Sequence, residues 1–294
     1  MKKENLILVI FLLVLLVTSL YIHTNLTQAA SLAMATAVKD SREEVPLPVL
    51  MYHGLTDDPS RVDEYFILTG DFEKDLQWLR DHGYTTVSFQ QLVNYVESGA
   101  RLPEKPVLIT FDDGYYNNYE KAFPLLQKYN ARAVLNLIGI ESDLYSDMLH
   151  RPPGGGNVTW GEAAKLSSSG LVEIGNHTYN LHRNDGSGSG RKGADRLPGE
   201  SYEDYRAVLL EDLGKNQERI AAATGQPALV FAWPYGAWPT DGFANPILKE
   251  LGFKGSLTSY QIMNTIRSSD PDSLFGLKRF LRTPDFRLEE HLPQ

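Results

Sequence analysis

Two aspartates, Asp112 and Asp113, stand side by side directly behind the apolar run Val107–Ile109 and the pair Thr110-Phe111, and Gly114 follows them. Adjacent carboxylates at the mouth of a buried strand repel each other and resist desolvation. A divalent cation removes that conflict, because it stabilises one carboxylate outright and lowers the pKa of both. Two further candidate ligands lie downstream. His177 and His182 sit just past a strand-like stretch, Val172–Gly175. Two imidazoles and one carboxylate at strand ends make a three-ligand metal site with an open position, and Asp113 is the natural third ligand. On a helix, histidines five positions apart would point about 140° away from each other. They converge on one ion only from a loop or a distorted turn. Taken alone, the segment also reads as two surface histidines.

The elements that must hold these groups are legible as alternating strand and helix signals from Pro46 onward. Val49–Tyr52 is a short apolar run. Phe72, Leu76 and Leu79 share a helical face, with Gly83 at the stop. Ser88 to Gln91 and Thr159 to Glu162 have capping-box spacing. Strands are expected at 85–87, 107–111, 133–138, 172–175, 229–233, 255–257 and 277–281. A long helix is expected over Tyr202–Thr224 and a short one over Asn245–Leu251. Arg183 to Glu200 is polar and glycine-rich, which predicts a loop or lid. About seven alternations predict an α/β fold, either a parallel barrel or an open sheet, with sites at the C-terminal ends of strands.

The chain has 294 residues, a formal net charge of -9 and no cysteine. Disulfides, thiolate metal sites and a cysteine nucleophile are therefore excluded, so a metal must be held by His, Asp or Glu. The acidic balance argues against nucleic acid as a partner. Lys2 and Lys3 precede the apolar run Leu6–Val17, which continues to Ile22 and would span about 25 Å as a helix. That is short for a membrane span and long for a cleaved signal, and small-residue sites follow at Ala33-Met34-Ala35 and Ala35-Thr36-Ala37. Either reading exports the chain to the cell surface or beyond. The expected organisation is residues 1–24 as signal peptide or signal anchor, 25–45 as a stalk, and 46–294 as the catalytic domain.

Three stretches in this order, Ile109-Thr110-Phe111-Asp112-Asp113-Gly114, His177-Thr178 with His182, and Phe231-Ala232-Trp233-Pro234-Tyr235-Gly236, resemble the polysaccharide deacetylase family, the NodB-homology group or carbohydrate esterase family 4. The resemblance covers about Pro46 to Leu288. It implies a distorted, seven-stranded, TIM-like (β/α) barrel and a metal-dependent hydrolase that removes acetyl groups from N-acetylated sugars. It implies that Asp113, His177 and His182 hold the metal, that Asp112 is the general base, and that the backbone N–H of Tyr235 stabilises the oxyanion. Zinc is the first expectation, and cobalt, nickel and iron suit the same donors.

Three departures narrow the resemblance. The histidines are five apart where most members have four. Ala232 stands where most have an arginine that orients the base, and the late histidine that supplies the general acid is missing. Together they resemble the branch of poly-β-1,6-N-acetylglucosamine deacetylases, which implies that His53, in Pro48-Val49-Leu50-Met51-Tyr52-His53-Gly54, protonates the leaving amine. Leu277-Lys278-Arg279 is similar to a late string of that branch, so Arg279 is expected to reach the site. Trp238, Arg279 and Asn176 are assigned toward substrate, Asn176 also as a support beside His177; Trp160, Trp233 and Tyr115 could stack on sugar faces but read first as core packing. The expected partner is a polysaccharide containing N-acetylglucosamine, with the membrane as a second partner if the N-terminal segment stays uncleaved. Peptidoglycan or chitin oligomers as substrate, a non-catalytic carbohydrate-binding barrel and another barrel metallohydrolase are the alternatives. The last usually opens with His-x-His on its first strand, and none occurs here.

Overall fold

The computed structural model describes residues 18–19, 21–27, 43–152, 155–183, 190–239 and 241–293. The chain divides into two units, Met1–Glu43 and Glu44–Gln294. In the first, residues 18–19 and 21–27 are helical (α1) and exposed. The apolar run Leu6–Val17 and residues 28–42 of the expected stalk lie outside the described residues. No helix among the described residues is long and apolar enough to cross a membrane.

The second unit is an α/β fold built on a curled parallel sheet. Its strands are β1 (Glu44–Leu47), β2 (Val49–Tyr52), β3 (Gly54–Thr56), β4 (Phe66–Leu68), β5 (Thr85–Thr86), β6 (Pro106–Phe111), β7 (Ala133–Leu137), β8 (Val172–Asn176), β9 (Val230–Ala232), β10 (Gly255–Leu257), β11 (Asn264–Arg267) and β12 (Phe280–Leu281). The helices after α1 are α2 (Thr69–Asp81), α3 (Phe89–Ser98), α4 (Phe123–Tyr129), α5 (Gly139–Asp147), α6 (Trp160–Ser168), α7 (Tyr202–Thr224), α8 (Ala244–Glu250) and α9 (Leu288–His291). The sheet order is β10-β9-β8-β7-β6-β2-β12, with β5 paired to the start of β6. A parallel bridge from Leu257 to Leu277, just before β12, brings the two ends of the sheet together.

Side-chain alternation explains why the site forms where it does. Successive residues of a strand face opposite sides. On β6, Val107, Ile109 and Phe111 pack toward the helices, while Leu108 belongs to a second, inner cluster with Val49, Val134, Val230 and Leu257. Continuing that inner register by twos leads from Val49 through Met51 to His53, from Leu108 through Thr110 to Asp112, and from Val134 to Asn136. The inner face is thus apolar at the N-terminal ends of the strands and polar at their C-terminal ends.

Both capping boxes form, Ser88 with Gln91 on α3 and Thr159 with Glu162 on α6. Helix α7 spans the expected residues. The stalk expectation gives way at Glu44 and Val45, which join β1 and pair with Arg267 and Ile266 of β11. Helix α5 has little sequence signal, because its buried residues are only Gly139 and Ser142. Part of the expected loop at 183–200 is ordered by packing: buried Arg191 bonds to Glu200, and the Tyr205 hydroxyl donates to the Ala194 carbonyl at 2.8 Å. Residues 184–189 of that loop lie outside the described residues.

Candidate active site

Asp112 leaves β6 with its backbone N–H donating to the Tyr52 carbonyl at 2.9 Å, which extends the ladder by one residue. Its carboxylate is buried. Arg279 donates Nη1 to Oδ1 at 2.8 Å and Nη2 to Oδ2 at 2.7 Å, and Asn136 donates Nδ2 to Oδ1 at 2.7 Å. Burial alone would raise this carboxyl's pKa. The Arg279 guanidinium overcomes it and holds Asp112 far below the usual carboxylate range. The arginine missing from position 232 is therefore replaced from another place in the chain. Asn136 fits beside the carboxylate because residue 175 is glycine: a Cβ there would stand 2.0 Å from its Oδ1.

Asp113 takes a left-handed backbone conformation, with φ 67°, which turns its side chain away from Asp112. A clamp holds this turn. The Asn157 amide donates to the Asp113 carbonyl at 2.5 Å, the Val158 N–H donates to the Gly114 carbonyl at 2.8 Å, and Tyr115 bridges to Asn157.

The two histidines converge because their segment is not helical. Thr178 has φ 72°, and long-range bonds hold the loop. Asp212 on α7 accepts from the N–H groups of Tyr179 and Asn180, each at 2.8 Å. Asn216, one turn further along α7, donates toward Leu137 O, Thr178 O and Asn176 Oδ1 at 2.9–3.0 Å. The ring centroids of His177 and His182 end 4.8 Å apart.

Their chemistry fits a metal. His177 Nδ1 lies 2.8 Å from the Ala232 carbonyl, which can only accept, so in a neutral ring Nε2 carries the lone pair. That Nε2 lies 3.5 Å from Asp113 Oδ1, and His182 Nε2 lies 3.3 Å from the same oxygen. Oδ1 is buried without a hydrogen-bond donor among the described residues. With both rings neutral and their Nε2 lone pairs turned inward, these three atoms are acceptors facing one another, an arrangement that a cation among them relieves. The three ligand atoms all fall within 4.8 Å of one another. Burial works to lower His177, but Asp112 and Asp113 outweigh it and hold its pKa above the ordinary value, whereas burial and the neighbouring His177 push His182 down to about 4.

His53 follows β2 and faces the same cavity, of about 420 Å³, as Asp112, His177, Trp233, Tyr235 and Arg279. Its Nδ1 is buried without a hydrogen-bond partner among the described residues, and its ring meets Tyr65 edge-on at 4.9 Å. Burial lowers its pKa, against the pull of Asp112 and Asp113. Tyr235 sits in a left-handed turn, φ 58°, with its hydroxyl 3.5 Å from His182 Nδ1. Gly236 permits that turn, since a Cβ there would stand 1.8 Å from Ser259 Oγ.

The structure places Arg279 and Trp238 differently from their assignment toward substrate, and Asn176 in the supporting place beside His177. Arg279 reaches the cavity wall, but its donors are taken by Asp112, Thr110 and the Thr258 carbonyl, so it orients a carboxylate rather than a sugar. Asn176 is fully buried and bonds Leu213, Thr178 and Asn216, which makes it a brace for the histidine loop. Trp238 packs against Gly276 and does not line the cavity. Trp160 bonds Asp143 away from the site, while Trp233 and Tyr115 do line the cavity. Asn136, Asn157, Asp212 and Asn216 went unmarked in the sequence. Only Asn136 carried a signal there, as a lone amide inside an otherwise apolar strand.

Residues 99–256 match the family described as polysaccharide deacetylase. An Escherichia coli K12 protein named poly-beta-1,6-N-acetyl-D-glucosamine N-deacetylase is 29% identical over 223 residues, which cover 69% of this chain and 32% of the relative. A Staphylococcus aureus protein of the same name is 24% identical over 213 residues, 71% of this chain and 66% of the relative. The chain thus spans about a third of the length of the E. coli relative. Among solved structures, a de-N-acetylase from Aggregatibacter actinomycetemcomitans superimposes with TM-score 0.70 at 27% identity, covering 84% of this chain and 100% of the other. IcaB from Ammonifex degensii superimposes with TM-score 0.65 at 29% identity, covering 82% and 93%.

Proposed function

The chain belongs to the polysaccharide deacetylase family, and on that premise we propose that it is a metal-dependent hydrolase removing N-acetyl groups from an extracellular polymer of N-acetylglucosamine. The observation that carries the reading is the convergence of Asp113, His177 and His182 beside an ionised Asp112, with His53 in the same cavity. The polymer is inferred to be β-1,6-linked, after the names of the E. coli and S. aureus relatives. The curled sheet is read as the distorted barrel expected from the sequence.

Asp113, His177 and His182 would hold the ion. When bound, a divalent ion there supplies Lewis acidity toward the acetyl carbonyl and makes water more acidic. Zinc suits this donor set first, and cobalt, nickel or iron also suit it. The remaining roles belong to the chain. Asp112, kept ionised by Arg279, accepts a proton from the attacking water as its oxygen bonds the acetyl carbon. The backbone N–H of Tyr235 donates to the oxyanion that develops on that carbon. His53 gives a proton to the amide nitrogen as the C–N bond breaks, leaving acetate and a free amine. Burial makes the protonated form of His53 a strong donor.

A carbohydrate-binding barrel without activity needs no second aspartate behind the ligand set, so the locked Asp112 favours the enzyme. The test is acetate release from β-1,6 and β-1,4 N-acetylglucosamine oligomers and from peptidoglycan, using protein stripped of metal and reloaded with zinc or cobalt. Metal-dependent release supports the hydrolase, and the preferred polymer identifies the substrate. No release from any of them, with metal demonstrably bound, overturns the reading. Export to the cell surface is part of the proposal. Detection of the protein only in the cytosolic fraction of its host would reject it.

A further inference from the structure

We propose that Tyr52, Asp75 and Arg282, on the far side of β2 from the cavity, are positioning residues that set where His53 stands during the reaction. The proposal rests on the deacetylase reading above, in which His53 protonates the leaving amine. A proton donor has to be held within hydrogen-bond reach of the atom it serves. In the usual arrangement an acid–base histidine is oriented by a partner on its second ring nitrogen. His53 has no such partner among the described residues: Nδ1 is buried without a hydrogen bond, and the ring contact it makes is edge-on to Tyr65. Its orientation therefore comes from the backbone that carries it.

That backbone is clamped from both sides. The Met51 carbonyl accepts from the Arg282 N–H at 2.9 Å, and the Tyr52 carbonyl accepts from the Asp112 N–H at 2.9 Å. The two peptide groups leading into His53 are thus tied, one to the end of β12 and one to the inferred base. Strand alternation turns Tyr52 to the opposite face from His53. There its ring packs on Phe72 and Phe111, with centroids 5.0 and 5.3 Å away, and its hydroxyl donates to Asp75 Oδ2 at 3.1 Å. Asp75 stands in the apolar stripe of α2 with Phe72, Leu76 and Leu79, where an unpaired carboxylate would be costly. Buried Arg282 compensates it, donating Nε to Oδ2 at 2.7 Å and Nη2 to Oδ1 at 3.1 Å.

One residue therefore ties three elements. Arg282 holds β2 through its N–H and α2 through its side chain, and α2 holds Tyr52 through Asp75. Three positions earlier, Arg279 holds Asp112. The stretch from Arg279 to Arg282 thus fixes the base on one face of the sheet and the strand of the acid from the other. A contact that only had to be stable would be served as well by apolar side chains, because a buried ion pair gains little over a hydrophobic replacement. The directional bonds add a defined height and rotation for the end of β2.

The experiment uses the zinc-loaded full chain and a triple variant, Tyr52→Phe with Asp75→Val and Arg282→Met, which replaces the network by apolar groups. Three properties are read together: zinc content, the imidazole NMR signal of His53 (identified by its loss in His53→Ala), and kcat. The substrates are an N-acetylglucosamine oligomer and an acetyl ester of a good leaving group. The expected result is parental zinc, a displaced His53 signal, and kcat on the oligomer lower by about 10–100-fold with the ester much less affected. An unmoved His53 signal overturns the proposal whatever the kinetics, as does a displaced signal with parental kcat on the oligomer, or loss of zinc from the variant. A displaced signal with equal losses on both substrates supports the positioning and overturns His53 as the acid. No acetate from the parent overturns the deacetylase reading but not the positioning, which the His53 signal then decides. Should the triple variant fail to fold, Tyr52→Phe alone, which removes one hydroxyl, carries the same readouts with an expected loss of about fivefold.

Discussion

Arg279 and Asp112 are 167 positions apart in the chain and meet as a buried two-pronged ion pair, with both carboxylate oxygens held at 2.8 and 2.7 Å. The pairing sets the charge and orientation of the inferred base. It also leaves neither ion free to be removed alone.

Arg279→Lys keeps the charge and loses the fork. We expect zinc stoichiometry to stay the same and kcat to fall by about 100-fold. Arg279→Ala leaves a buried carboxylate uncompensated and should cost about 3–5 kcal/mol of stability. Urea unfolding beside steady-state kinetics checks both. A lysine variant with parental kcat would show that the fork is not needed.

Asp112→Asn should retain metal and lose turnover by at least about 100-fold. Stability adds a pH signature. The folded pKa of Asp112 lies below its ordinary value of 3.8. Its contribution is therefore complete above the unfolded pKa and is lost as pH falls from there through the folded value. The stability gap between the parent and this variant should narrow below about pH 3.8 in denaturant titrations. A gap that is constant or widens on acidification would contradict the ion pair.

Asp113→Ala and His177→Ala should each abolish stoichiometric zinc, as read by metal analysis after dialysis. For the parent protein, zinc at about 100 times its Kd should add about 2.7 kcal/mol of stability, lost on chelation. Full zinc occupancy in either variant would break the ligand assignment.

His53→Ala should bind zinc normally and lose at least about 100-fold in kcat on oligomers with an amine leaving group. Acetyl esters of a good leaving group, which need no protonation, should suffer much less. Equal losses on both substrates would move the general acid elsewhere.

Asn216→Ala removes the donor shared by Leu137, Thr178 and Asn176. Zinc affinity should fall by about 10–100-fold, although Asn216 is not among the proposed ligands. Competition with a zinc chelator measures this. Unchanged affinity would mean that the loop keeps its shape without α7.

The local parts follow from the chain's own order of residues. Apolar runs of strand length, capping boxes and the glycine at 114 act through neighbours in the chain, and they were readable as such. So were the chemical types at strand ends, because the two-residue period of a strand puts Asp112 on one face whatever lies opposite. Even the departure of the histidines from a four-residue spacing was visible, with its implication that they lie on a loop.

Which side chains meet depends on the folded arrangement of strands and helices. A guanidinium on the entry to β12 could serve a sugar or a carboxylate, and the register beside β2 and β6 settles it on Asp112. Trp238 looked like a sugar platform by its type alone, yet a glycine at 276 gives its ring somewhere to pack. Asp212 and Asn216 hold the histidine loop across α7 through contacts at least 32 positions apart. The physical reason is the same in each case. Backbone geometry follows from short-range sterics, whereas the partner of a buried polar group is fixed by which strands and helices the fold brings beside it.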